Sequence, residues 1–396
     1  MSELVKEIKV CRACGSGYLN VVLDLGVHAV SDFYFAVPDD ELRAPLTLAM
    51  CENCGLVQLT HSVDKERLYR NYYYKSGMNP AMVAALKDVV DDAMRKRPDP
   101  YIVLDIGAND GTLLDQYPAN VRTIGVEPSN LCPKPGETRH TIYHQFYPDL
   151  PPVRTVYPFD IITSVAMFYD LDDPNVFLNW IHADLSDDGV WVNQMMDLDG
   201  MLNANAFDNV CHEHVGYWRN EDFRQIVEKH DLRIVARSRN AVNGGSVRLT
   251  MKHGHVPDLD AASTMSIYLQ DIRYFANRIA YQKGQCLEFL EAAKRNGKTV
   301  CGYGASTKGN TLLQYYGITS DLLPYIAERN PDKWGKLTAG SHIPIISETE
   351  MRERRPDYLL ALPWHFIEGF REREADLLAQ GTKFVVPLPE FRVIGE

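Results

Sequence analysis

No stretch of this chain approaches the roughly 18–20 consecutive apolar residues that cross a bilayer, so an integral membrane protein is not expected. The opening Met1-Ser-Glu-Leu-Val-Lys-Glu-Ile lacks an apolar core, so no secretory signal is expected either. Positive charge is in deficit. Lys and Arg number 41 against 53 Asp and Glu, a net charge of −12. Such a surface repels nucleic acid and anionic lipid unless a local basic patch compensates. There is no internal repeat and no low-complexity tract. The eight cysteines form no disulfide ladder: four make two Cys-x-x-Cys pairs, and Cys132, Cys211, Cys286 and Cys301 are scattered. That usage suits cytoplasmic thiols plus a metal site. The rest is ordinary globular composition, 45% apolar and 24% charged over 396 residues, enough for two to four domains.

Short apolar runs broken by turns fill the first 70 or so residues and read as a small β-rich module with little core of its own. Apolar residues at 82, 83, 86, 89, 90 and 93 predict a helix from Pro80 to Lys96, ended by Arg97-Pro98. A βαβ rhythm follows. Strands are expected at 101–107, 121–127, 159–165 and 189–195, with a helix over 174–185; this alternation implies a parallel sheet covered on both faces. One or two helices are expected from about Asp260 to Asn296-Gly297. A second βαβ series then runs through strands at 298–304, 322–328, 358–363 and 384–388. The expected division is 1–75, 76–258 and 259–396.

Cys11-x-x-Cys14 and Cys51-x-x-Cys54 each sit in a tight turn. Four thiolates close a tetrahedral zinc site with no open position, so a structural metal is expected rather than a catalytic one. The metal would staple a segment too short to bury a core.

Two glycine loops differ in chemistry. Asp105-Ile-Gly107-Ala-Asn109-Asp110-Gly111 joins a strand to a helix without the dinucleotide spacing G-x-G-x-x-G. A pyrophosphate would be repelled by Asp110, whereas the ammonium and sulfonium of S-adenosylmethionine favour nearby carboxylates. Glu127, at the end of the next strand, is placed to hydrogen-bond a ribose diol. The second loop, Gly302-Tyr-Gly304-Ala-Ser306-Thr-Lys308-Gly309-Asn310, has no acid and one lysine, and Glu328 ends the next strand. Backbone N–H groups at a helix start plus a lysine suit a diphosphate. Cys211-His212-Glu213-His214 lacks the i, i+4 spacing of a helical zinc site and reads better as acid–base chemistry, with His214 as base and Glu213 as its orienter. Tyr69, Tyr72, Tyr73 and Tyr74 either pack the metal module or donate phenolic protons to a bound sugar.

Taken in order, the Cys₄ module, Tyr72-Tyr-Tyr-Lys-Ser-Gly, the two glycine loops, Gly125-Val-Glu-Pro128-Ser, Cys211-His-Glu-His, Asn243-Gly-Gly-Ser and Leu362-Pro-Trp-His-Phe resemble the S-adenosylmethionine-dependent C-methyltransferases of nucleotide-linked deoxy-ketosugars. The resemblance spans essentially the whole chain. It implies an α/β fold: a class I methyltransferase Rossmann-like domain flanked by a zinc-binding β module and a second Rossmann-like domain that holds the nucleotide sugar. It implies that a base removes the proton alpha to the ketone and that the enolate takes the methyl. Carried onto this chain, Glu213 and His214 match the catalytic pair, with Tyr72 or Tyr74 donating to the keto oxygen. Asp105, Gly107, Asn109, Asp110, Gly111, Glu127 and Pro128 hold the donor, and Ser306, Lys308, Asn310, Glu328 and Asn243 hold the substrate. The chain departs from the best-known members at Cys211, where they have a tyrosine, and at Phe168, where they are read as having a histidine. Gln194 and Asp197 stand where a Glu and a Tyr are expected. A monomer or weak oligomer is expected. The alternative is an O- or N-methyltransferase acting on the same substrate; an RNA methyltransferase is disfavoured by the charge, and a binding protein without turnover by the retained His214 and Glu213.

Overall fold

A computed structural model describes residues 3–149, 158–255 and 265–395, without the side chains of Asn243 and of 265–268. The expected helix start near Asp260, the domain boundary at 258/259 and any contact of the Asn243 side chain lie outside the described residues.

The first α/β sheet grows from runs apolar on both faces, as a covered parallel sheet requires. Its strands are Ile102–Ile106, Arg122–Val126, Thr141–Tyr143, Phe159–Val165, Leu185–Met195, Leu232–Asn240 and Ser246–His253. Counted in chain order, they lie side by side as 6-7-5-4-1-2-3, and Ser246–His253 runs antiparallel to both neighbours. The sequence reading lacked the last two strands and the short Thr141–Tyr143. Pro80–Lys96 is helical to the residue. Asn79 caps it by accepting from Ala81 N, Pro80 supplies a pre-set φ, and Met82, Leu86, Val89, Val90 and Ala93 face the sheet. Pro174–Asp184 is capped in the same way by Asp173.

Met265–Arg295 is one continuous helix of 31 residues and leads to the second α/β sheet. Its strands, Val300–Tyr303, Ile326–Glu328, Ile345–Ser347, Tyr358–Ala361, Lys383–Val386 and Arg392–Ile394, lie in the order 3-2-1-4-5-6. All pairings are parallel except the last.

The N-terminal segment is not a bead on the end of the chain. Strands Leu19–Ala29, Arg43–Cys51 and Val57–Leu59 form an antiparallel sheet, and Gly216–Tyr217, from within the first α/β part, adds a fourth strand, with Gly216 opposite Gln58 and Tyr217 opposite Val57. Phe33–Tyr34 pairs with Leu337–Thr338 of the second α/β part. Leu46, Leu48, Met50, Val57 and Leu59 share one apolar core with Tyr303, Leu312, Leu313 and Tyr316. A segment with little core of its own thus borrows that of the far end of the chain. No described helix is long and apolar enough to cross a membrane.

Candidate active site

In an open α/β sheet, ligands bind beyond the carboxyl ends of the strands, where the strand order reverses. The first sheet reverses between Ile102–Ile106 and Phe159–Val165, the second between Val300–Tyr303 and Tyr358–Ala361. Both crevices open into one cavity of about 1130 Å³. Asp105, Gly107 and Asn109 wall one side with Met167, Tyr169 and Asp170; Gly304, Ser306 and Lys308 wall the other with Pro363 and His365. Gly304 has φ +85, and a Cβ there would stand 2.6 Å from Pro363 Cγ, so only glycine lets the two loops of the second crevice meet.

In the donor crevice, Asp105 accepts from Thr163 Oγ1 at 2.6 Å. Burial, opposed by that bond and helped by the Glu127 charge, raises its carboxyl to about 7. A buried acid without a cation, facing a cavity, fits a ligand that brings positive charge. Glu127 accepts Asn109 N at 2.7 Å and Ser129 N at 2.8 Å, which fixes its carboxylate at the cavity wall. Pro128 lines the same wall. These groups fit S-adenosylmethionine, the methyl donor: an acid for its ammonium, a fixed carboxylate for its ribose, and no cation in the loop. Asp110 and Gly111 lie behind the wall. Asp110 instead accepts Gly77 N at 2.9 Å and caps Thr112.

That contact belongs to a strap. Residues 69–79 cross the cavity, tied to the donor side by Asn109 Nδ2 donating to Tyr74 O, Ser76 N donating to Asn109 Oδ1, and Arg70 Nη1 donating to Pro128 O. Asn330 Nδ2 donating to Tyr73 O and the Lys75–Asp332 ion pair tie it to the second sheet. Tyr69, Tyr72 and Tyr74 line the cavity. Burial, with the Glu213 charge adding to it, keeps the Tyr72 phenol protonated, and burial pushes Tyr74 up to about 12. Tyr73 reaches the cavity wall as well and packs edge-on against Phe33, so one tyrosine combines packing with cavity lining.

His214 and Glu213 both face the cavity. The orienter of His214 is the Asn209 carbonyl, 2.9 Å from Nδ1, and not Glu213 as the sequence suggested. A carbonyl only accepts, so Nδ1 carries the hydrogen and Nε2 carries the lone pair. Burial, then the Lys308 charge, depresses this imidazole to about 3. Glu213 is bonded by the Cys211 thiol instead, and burial raises it to about 6. Its Oε2 has no partner. Adjacent residues point different ways because the segment is irregular here, between the turn Phe207–Asn209 and the strand Gly216–Tyr217. His212 leaves the site altogether and donates from Nε2 to Ala44 O at 3.0 Å, fastening the loop to the N-terminal sheet.

In the second crevice, Glu328 repeats the arrangement of Glu127, accepting Ala305 N and Asn330 N, each at 2.8 Å. Ser306 caps the helix Thr307–Tyr316, and Asn310, buried below it, donates to Ser31 Oγ. Lys308 lies deep at the seam, within electrostatic reach of Asp208, Cys211, His214 and His365, and burial lowers its pKa.

Phe168 is not a cavity residue. It is buried among Phe177, Trp191, Trp218 and Phe223. Its neighbours Tyr169 and Asp170 are the ones that face inward; no sequence pattern singled them out, because a three-residue turn has no periodicity to read. Gln194 reaches the cavity with Oε1 accepting from Asn240 and Arg248, whereas Asp197 is buried as a helix cap paired with Arg239.

The four thiol sulfurs of Cys11, Cys14, Cys51 and Cys54 lie within 4.8 Å of one another. Cys11 and Cys54 are 3.5 Å apart, and Cys14 and Cys51 are 3.6 Å apart. Zn–S bonds of about 2.3 Å give tetrahedral edges of about 3.8 Å, so the cluster fits a structural zinc ion. Arg12, inside the first knuckle, reaches Gln58, the Leu59 carbonyl and Asp172, and so ties the metal site to the loop that carries Asp170.

Three family models match the chain in succession: a zinc binding domain over 11–69, a methyltransferase domain over 78–237 and a C-methyltransferase C-terminal domain over 241–389. C-methyltransferase NovU of Streptomyces niveus is 28% identical, over all of this chain and 99% of its own length. Among solved structures, a chain of the Haloferax volcanii complex between the Trm112 methyltransferase activator and a methyltransferase matches 45% of this chain and 95% of its own, at 14% identity and TM-score 0.37. An S-adenosylmethionine-dependent methyltransferase of Clostridium acetobutylicum matches 43% and 92%, at 11% identity and TM-score 0.34. With its Cys₄ cluster, its donor crevice and all three family segments in order, the chain has the organisation of the C-methyltransferases that carry an N-terminal zinc-binding domain and is similar to them along its whole length.

Proposed function

We propose that the protein moves a methyl group from S-adenosylmethionine to the carbon alpha to the ketone of a nucleotide-linked deoxy-ketosugar, through an enolate. The observation that carries this reading is the single cavity walled by two switch-point crevices, with His214 at their junction. The first glycine loop carries acids and no lysine or arginine. The second crevice brings Lys308, Arg329, Lys333 and Arg373 to the wall, with Glu328, Glu348, Glu368 and Glu372 among them. A loop free of cations suits the cationic donor, and the lysine and arginine side chains of the other crevice suit a diphosphate. In this reading 1–75 is the zinc module, 76–258 the methyltransferase domain and 259–396 the connector and nucleotide-sugar domain.

S-adenosylmethionine, when bound, supplies an electrophilic methyl; the chain supplies everything else. His214, neutral and with its Nε2 lone pair free for the cavity, accepts the alpha proton. Glu213, ionised above about 6, accepts a sugar hydroxyl and steadies the imidazolium as it forms. Tyr72 and Tyr74 remain protonated and offer O–H donors to the sugar. The strap excludes water, which strengthens each of these interactions.

Incubation with a panel of nucleoside-diphosphate ketosugars and labelled donor tests the reading. NMR should place the new methyl on carbon, and the alpha hydrogen should exchange with D₂O before any donor is added. A methyl found only on oxygen or nitrogen, with no exchange, overturns it.

Lys308→Ala should raise the KM for the sugar nucleotide while calorimetric donor affinity stays unchanged. If donor affinity falls instead, the assignment of the two crevices is reversed.

A further inference from the structure

The loop after Phe159–Val165 offers the cavity a carboxyl that the chemistry above leaves unused. Phe168 anchors the turn Phe168–Asp170 in the aromatic core, and the Tyr169 ring lies 4.3 Å from that of His214. The turn therefore presents Asp170 to the cavity that His214 also lines. Its Oδ1 is buried and has no hydrogen-bond partner. Its electrostatic neighbours are Glu213, the phenols of Tyr69, Tyr72, Tyr169 and Tyr217, and the Cys211 thiol; none is a cation. An ionised carboxylate in such a place is costly, and of two nearby carboxyls only one ionises readily. Glu213 takes the charge, and burial together with that charge, opposed by the Tyr69 hydroxyl, holds the Asp170 carboxyl well above its usual range. Asp170 is thus a neutral acid with an open oxygen facing the reaction space. A carboxyl kept protonated this way serves as a hydrogen-bond donor to developing oxyanions.

Resting on the enolate reading, we propose that Asp170 is a catalytic residue that donates its O–H to the ketone oxygen of the substrate as the alpha proton leaves. The C–H bond breaks toward His214 Nε2, and its electron pair moves into a C=C bond while the carbonyl pair moves onto oxygen. Asp170 holds that oxygen by hydrogen bonding and keeps its own proton. When the alpha carbon bonds to the methyl, the C–S pair stays on sulfur and the ketone re-forms. The imidazolium proton is released to water. No electrons are gained or lost overall.

The test compares Asp170→Ala with Asp170→Asn, read by donor-free exchange of the alpha hydrogen in D₂O and by kcat, on nucleoside-diphosphate ketosugars. Asp170→Ala should lose about 10²-fold in both, the scale of one oxyanion donor, with little change in KM. Asp170→Asn places an uncharged N–H donor at the same spot and should stay within about tenfold of the parent. If Asp170→Ala fails to fold, Asp170→Leu removes the same donor while filling the same space and reads in the same way. Exchange at the parental rate in the donor-less variant overturns the proposal. So does an Asn variant as impaired as the Ala variant, which would make the residue a base. If the parent protein exchanges no alpha hydrogen on any ketosugar, the enolate reading falls and this proposal with it. Parental exchange left intact by Asp170→Ala sinks the proposal alone.

Discussion

His214→Asn should fold, bind donor and sugar nucleotide, and lose about 10²-fold or more in kcat, the lower end of what a positioned base supplies. It should also lose donor-independent exchange of the alpha hydrogen with D₂O. The variant is conservative where structure matters, because the asparagine amide can still donate toward the Asn209 carbonyl that now holds Nδ1. What it removes is the Nε2 lone pair. The control is Cys211→Ala, which should be milder. Burial, helped by the Glu213 charge, keeps the Cys211 thiol protonated, so it is a poor candidate for a base. Exchange abolished by Cys211→Ala but retained by His214→Asn would make the thiolate the base and refute the assignment.

Cys51→Ser should strip the metal and take solubility and activity with it, down to background turnover. The expectation goes beyond the loss of a staple. Cys51 ends the strand Arg43–Cys51, which pairs with Val57–Leu59, which in turn pairs with Gly216–Tyr217, two residues beyond His214. Leu59 N donating to Val215 O and His212 donating to Ala44 O fasten the same loop. Loosening the zinc module therefore loosens the segment that positions the base, and an error of about 1 Å there can cost about 10²-fold. Metal analysis, thermal unfolding and turnover on the same preparation check this. A soluble, metal-free variant with full activity would show that the zinc does not support the site.

Much of the architecture was legible because its causes are local. Asn79-Pro80 and the apolar spacing behind it set the helix Pro80–Lys96 at both ends, and the run Phe159–Val165 reads directly as a covered strand. Leu232–Asn240 was missed because it alternates buried and exposed residues weakly and carries Arg233, Arg237 and Arg239. Ile326–Glu328 proved shorter than the expected 322–328, because Pro324 has no N–H for a ladder.

From the sequence alone came the metal ligands, the acidic character of one glycine loop and the cationic character of the other, and the pair Glu213–His214. Each is a matter of residue identity and short spacing, which the chain carries without needing to be folded. Tertiary structure decided which of those residues meet. Phe168 turned into the aromatic core and Asp170 into the cavity, because a turn's side chains are sorted by what packs around them. His214 took its orienter from Asn209 rather than from adjacent Glu213, and Lys308 came to lie near both His214 and Asp208, 100 residues away along the chain. The N-terminal module, too short to bury a core, found one only by pairing with strands at 216–217 and 337–338. Contacts of such sequence separation depend on the packing of the whole molecule, and no local pattern records them.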